Sequence, residues 1–343
     1  MIRICAAALL IVGVASPCRA QDVEGYLAMA RQYAAGQGDE ATGRLAGWSQ
    51  PAIAGASAIA VNTAGVRDLL AAAMLHTELA NAIIDREPET AQVHFNIAGT
   101  TLAAASGRIG QRKRLEPFVR RWYRFVASVY TSAELLNAAA VIVHQGLDAF
   151  PTDPGLLVAR GAIIEVGVRK KFVPDWRRDT VFGASHRDQV EDAMNGATAQ
   201  YLRALSFDNH NAEAHLRLGW ARLFMADGRA KPELDAAVAD AQDDGVRYLA
   251  HLFLGGLAER EHRLEDALHE YESARTVGPD FQSAYVALSR IEQALGHENR
   301  ARDLALEGLR LEKSGADDPW WDHRIGFDRE SLYWLRNEVR RPQ

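Results

Sequence analysis

Acid–base or metal chemistry in this sequence would have to be built from its eleven histidines and 45 carboxylates, so their spacing comes first. His76 and Glu78 flank Thr77 in a helical stretch, which sets their side chains about 200° apart and prevents them from sharing a ligand. His262 and His269 stand seven apart, with Glu265 and Asp266 between them. That spacing predicts one helix face, but a span of two turns is long for a single metal ion. No HExxH, glycine-rich phosphate loop or Gly-x-Ser-x-Gly occurs. These groups are read as solvated helix faces, so no catalytic residue, metal ligand or cofactor is expected.

Two basic stretches interleave with aromatics. In 112–124, Phe118, Trp122 and Phe125 continue to Val129 at 4-3-4 spacing, which predicts a buried stripe opposite Arg120, Arg121 and Arg124. In 169–188, Phe172, Trp176 and Arg177 lie in a run containing Pro174 and Gly183 and lacking a helical stripe. The chain as a whole carries 39 basic against 45 acidic residues, which argues against nucleic acid as the partner.

The elements that must position these residues are helical. Apolar residues make up 48% of the chain and charged residues 24%, and alternating β-branched runs are nearly absent. This is the composition of an all-α protein with ample core. Arg3, the apolar run 4–14 and the small residues Cys18 and Ala20 predict an export signal over 1–20, cleaved before Gln21. Cleavage removes Cys5 and Cys18, and with them any disulfide or thiol chemistry, and leaves 37 basic residues against 45 acidic. Cys18 offers lipid attachment as an alternative, but Ala15-Ser16-Pro17 is a poor lead-in for it. A periplasmic or secreted location follows, with no later run long enough to cross a membrane.

Further along, 21–57 reads as a short helix followed by a flexible Gly/Ala-rich passage, and 58–132 as an N-terminal helical region of possible degenerate repeats. Ser132 is placed as the cap of the next helix. From 133 to 314 the chain is repetitive. Gly255, Ala267, Tyr271, Ala274 and Pro279 are followed, thirty-four residues later, by Ser289, Ala301 and Gly308. Ala197, Tyr201 and Ala204 take the same places earlier, and Leu218-Gly219 and Gly161 fall in the notch of other first helices. Residues 169–188 read as an insertion in the array, and 315–343, with Trp320 and Trp321, as a terminal cap.

On these residues the chain resembles the tetratricopeptide-repeat family across roughly half its length. The resemblance implies a right-handed helix–turn–helix solenoid whose first helices line a concave groove. Counting in that register, the groove positions are Leu216, Trp220 and Phe224; Leu252, Glu259 and Arg260; and Val286, Arg290 and Gln293. The implied role is a protein–protein interaction scaffold that holds a protein or peptide partner and does no chemistry of its own. In the insertion, Phe172, Trp176 and Arg177 are further candidates. The alternative is an enzyme or ligand-binding accessory with a pocket between the N-terminal helices and residues 169–188.

Overall fold

The structure, a computed structural model, describes the backbone of residues 66–176 and 183–311 together with Asp318; side chains at 169–187 and at several positions in 67–78 lie outside the described residues. The expected signal segment, the 21–57 passage and the tryptophans of the terminal cap also lie outside them. Among the described residues every regular element is an α-helix. The chain divides into two compact units whose boundary falls between Trp122 and Tyr123.

The first unit contains α1 (Val66–Ile83), α2 (Pro88–Ser106) and the opening turns of α3 (Arg112–Ser132). Pro88 starts α2 at a position whose N–H has no helical partner to lose. Buried Leu69, Ala73, His76 and Ala80 on α1 face buried Ala91, Phe95, Ala98 and Leu102 on α2, each set at 3–4 spacing. Trp122 closes this pair. A Cβ on Gly99 would stand 2.8 Å from its ring, and its indole N–H donates to Thr77 Oγ1 at 2.9 Å.

The buried stripe of α3 differs from the expected one. Leu115, Trp122, Val126, Ala127 and Tyr130 are buried, whereas Phe118 and Phe125 remain 39% and 41% exposed. Only Trp122 lies on both stripes. A stripe drawn through the aromatics alone is rotated by about one residue, because small Ala127 and Val126 carry the packing.

The second unit is an array of helical hairpins. After α4 (Leu136–Ala149) come α5 (Pro154–Trp176) with α6 (Gly183–Phe207), α7 (Ala212–Phe224) with α8 (Ala230–Asp240), α9 (Asp244–Arg260) with α10 (Leu264–Val277), and α11 (Gln282–Ala294) with α12 (Glu298–Leu311). Small residues sit where partner helices meet. A Cβ on Gly161 would lie 2.7 Å from Tyr201 Cζ, and one on Gly219 2.7 Å from Leu234 Cγ. In α11 the notch residue is Ser289, buried with its hydroxyl donating to Ala301 O at 2.6 Å. The hydroxyl satisfies itself on the partner helix, which explains why this repeat manages without a notch glycine.

Residues 169–188 are not the irregular insertion expected from their composition. The backbone of α5 stays helical to Trp176 and α6 begins at Gly183, so most of the segment lengthens one hairpin. Pro174 sits in the last turn of α5, two residues before the helix ends.

Ser132 does not cap α4 either: α3 runs through it. Glu134 takes a positive φ of 57° while Leu135 N–H returns to Tyr130 O at 2.8 Å. This is a Schellman closure with a non-glycine residue in the left-handed position. It recurs at Ala226, at His262 and at Gly296 (φ 57°, 59° and 84°), each followed by the same return bond. His262 is therefore in a turn ahead of α10, and the face it was expected to share with His269 does not exist.

Candidate functional site

First helices in such an array begin at a cap. Asp153 accepts the Leu156 N–H at 2.9 Å, Asn211 the Ala214 N–H at 3.0 Å, and Asp243 the Val246 N–H at 3.1 Å. Asp153 is also held by both ends of the Arg124 guanidinium, at 2.7 and 2.8 Å. Helix α11 is preceded at its cap position by Phe281, whose side chain has no oxygen to offer. There the Ala284 N–H donates to the Tyr248 hydroxyl at 3.2 Å, and the Ser283 N–H donates to Asp318 at 2.7 Å. A buried carboxylate from beyond the array thus supplies the missing cap. Burial, followed by the neighbouring Asp318 charge, raises the Tyr248 pKa, so its hydroxyl stays protonated and donates to that carboxylate at 3.3 Å.

Between hairpins, arginines of successive first helices reach back to the first helix before. Arg217 on α7 meets Glu165 on α5 at 3.4 Å. Arg260 on α9 donates to Leu223 O, near the end of α7, at 2.6 Å. Arg290 on α11 pairs with Glu259 on α9. The tyrosine that fills the glycine notch joins two of these contacts, since Tyr201 donates to Glu165 and Tyr271 to Glu259 at 3.0 Å. Burial raises the pKa of both tyrosines. Burial works against the Arg217 charge, but Glu165 and Glu213 outweigh it and leave the guanidinium above its ordinary value. Within hairpins, His215 binds Glu233 at 2.6 Å and His251 binds Glu270 at 2.8 Å. The hydrogen bond to Glu233 raises the His215 pKa.

This geometry redistributes the predicted groove residues. Leu216 and Trp220 are 1% and 7% exposed and belong to the apolar core, so they are not groove anchors. Trp220 stacks on Phe224, with ring centroids 5.6 Å apart. Val168, Val190 and Met194 from the lengthened α5–α6 hairpin belong to the same apolar cluster. Leu252 and Val286 are buried as well. Glu259, Arg260 and Arg290 are accessible in part but already engaged as described, while Phe224 and Gln293 are partly buried. Phe172, Trp176 and Arg177, and with them the alternative pocket, involve side chains outside the described residues.

The first unit brings together two histidines that no sequence spacing pairs. His76 and His94 are both buried, with their Nδ1 atoms 2.7 Å apart. One Nδ1 must donate and the other accept, so the two rings cannot both be charged in this arrangement. Burial, followed by the His94 charge, lowers the His76 pKa to about 4. Burial also lowers that of His94, with Glu87 opposing. Among the described residues His76 Nε2 has no hydrogen-bond partner. A signal was present, since His76 falls in step with Leu69, Ala73 and Ala80, but no local spacing pairs it with His94.

No protein-family model matches the sequence, and no curated protein matches it. Among solved structures, PilF of Pseudomonas aeruginosa is 15% identical at a TM-score of 0.45, over 64% of this chain and 86% of that one. A thermophilic tetratricopeptide-repeat protein of Thermus thermophilus is 15% identical at a TM-score of 0.43, over 66% and 98% respectively. YrrB, described as a tetratricopeptide-repeat protein with an unusual peptide-binding site, is 14% identical at 0.38, over 66% and 97%.

Proposed function

We propose that this chain is an exported tetratricopeptide-type scaffold that binds a protein or peptide partner and performs no chemistry itself. The partner lies along the C-terminal ends of α7, α9 and α11, where Phe224 and Arg260 stand at matching places and Gln293 stands one position before the equivalent on α11. One observation carries this reading: Arg260 of that row and Arg290, one turn before Gln293, are already fixed by contacts between successive hairpins, Arg260 to Leu223 O and Arg290 to Glu259. A surface ordered before binding gives up little side-chain entropy when a partner arrives. Export rests on the composition of residues 1–20.

The test places a photo-crosslinking amino acid at Phe224, Arg260 and Gln293, and, as controls, at exposed Lys231 and Glu265 on second helices. Crosslinks to a defined protein from the first set alone support the reading. Equal labelling from both sets, or none from the first, refutes it. An N-terminus at Gln21 on protein recovered from the cell envelope would support export, and intact chain retained in the cytosol would refute it.

A further inference from the structure

Residues 108–121 carry Arg108, Arg112, Lys113, Arg114, Arg120 and Arg121 against a single acid, Glu116, in a chain of net charge −6. Little of this charge is paired with a carboxylate among the described residues. Arg120 pairs with Glu116 and Arg114 reaches only Gln111. Arg112, Lys113 and Arg121 are exposed and have no carboxylate partner among the described residues. The cations of the first turn of α3 are not explained by helix electrostatics, because that end favours acids and has none.

Apolar side chains stand among these charges. Ile109 is fully exposed at the tip of the turn ahead of α3, beside Gly110 with its positive φ of 74°. On α3 itself Phe118 is exposed, and at 4-3 spacing it shares a stripe with Arg114 and Arg121. Two exposed apolar side chains, Ile109 and Phe118, among the exposed cations Arg112, Lys113, Arg114 and Arg121 offer no apolar core for a protein interface. They suit a surface that supplies negative charge in a plane and hydrocarbon just beneath it.

From this we infer that residues 108–121 form a docking surface for an anionic lipid bilayer. Ile109 enters below the headgroups, and Arg112, Lys113, Arg114 and Arg121 lie against the lipid phosphates. The contact is peripheral and weakens with salt. It is independent of the partner row proposed on α7, α9 and α11, which lies in the other unit.

The test is flotation of the full chain with vesicles of phosphatidylcholine alone and of phosphatidylcholine with about one third phosphatidylglycerol, at low and high salt. Binding is expected only to the anionic vesicles, and it should fall as salt rises. Each lost cation should weaken it roughly fivefold, so replacing all three of Arg112, Lys113 and Arg114 with Glu weakens it by about a hundredfold or more. The same substitution places acids at a helix N-terminus, so α3 should be at least as stable in the variant, which separates lost docking from lost folding. Ile109→Asp should weaken binding with unchanged circular dichroism. No binding to anionic vesicles at low salt would overturn the inference, as would binding that survives the triple reversal. Equal capture by soluble heparin, with Ile109→Asp silent, would also overturn it, because that result describes a polyanion site.

Discussion

Gly255 and Gly256 are neighbours on α9, and substituting each with alanine should move stability in opposite directions. Alanine gains about 1 kcal/mol over glycine inside a helix. At Gly256 little opposes that gain, since the nearest atom to a new Cβ is the Tyr271 hydroxyl at 3.8 Å, an ordinary contact. At Gly255 the new Cβ would lie 2.6 and 2.8 Å from Tyr271 Cδ1 and Cζ, and closer still to Cε1. The ring has nowhere to go, because it is buried and its hydroxyl is tied to Glu259. Overpacking of this kind costs about 1–3 kcal/mol, and with several ring atoms in the way the upper half of that range applies. Gly255→Ala should therefore lose about 1–2 kcal/mol net and Gly256→Ala gain up to about 1, a separation of roughly 2–3 kcal/mol. Urea unfolding followed by circular dichroism resolves this, and hydrogen exchange in α9 and α10 locates it. Equal effects of the same sign would show that the Tyr271 notch does not set the approach of these helices.

Three further outcomes are expected. His262→Gly should stabilise the α9–α10 turn by roughly 1 kcal/mol, since glycine carries no Cβ penalty at the φ of 59° found there; a loss in thermal melts would contradict the Schellman reading. Both His76 and His94 lie below the ordinary histidine value of 6.5, so the unfolded chain binds more protons; the first unit is stable above about pH 6.5 and weakens as pH falls toward about 4, by roughly 3 kcal/mol from His76. Exchange of α1 and α2 amides against pH checks this, and protection that stays flat from pH 7 to 4.5 would refute it. Asp318→Ala should cost about 1–2 kcal/mol and accelerate exchange at Ser283, because the substitution removes the cap of α11; unaltered exchange there would show that the carboxylate is dispensable.

The repeat was legible because its signal is steric. Gly161, Gly219, Gly255 and the tyrosines opposite two of them must be what they are for helices to approach, so they recur at fixed spacing. Turn closure was hidden, because the left-handed residues are Glu134, Ala226 and His262 and only Gly296 has the expected type. The length of α5 and α6 was hidden by Pro174 and Gly183, both read as breakers although each lies at a helix end. Trp220 was misplaced because a groove register counts positions on an isolated hairpin and takes no account of the neighbouring hairpin, whose Val168 and Val190 join the same cluster. The His76–His94 contact and the Asp318 cap join residues 18 and 35 positions apart, beyond the reach of any local pattern.

The contacts between hairpins also bear on how the array unfolds. A repeat protein's stability is close to a sum of hairpin terms and nearest-neighbour terms, and the neighbour terms here are of two kinds. Apolar packing between hairpins, such as the cluster that Val168 and Val190 share with Trp220, is non-directional. Arg217–Glu165 and Arg290–Glu259 are directional, and Tyr201 and Tyr271 tie each glutamate to the second helix of its own hairpin. At Arg217–Glu165, whose side chains are largely buried, removing one partner leaves an uncompensated charge, which is far more costly than the net worth of the pair, while the more solvated Arg290–Glu259 pair carries less of that penalty. A slipped hairpin would leave the same charge unmatched. The array therefore gains less in overall stability from these pairs than in discrimination against wrong stacking. The row of Phe224, Arg260 and Gln293 keeps its geometry because each first helix is held to the one before it.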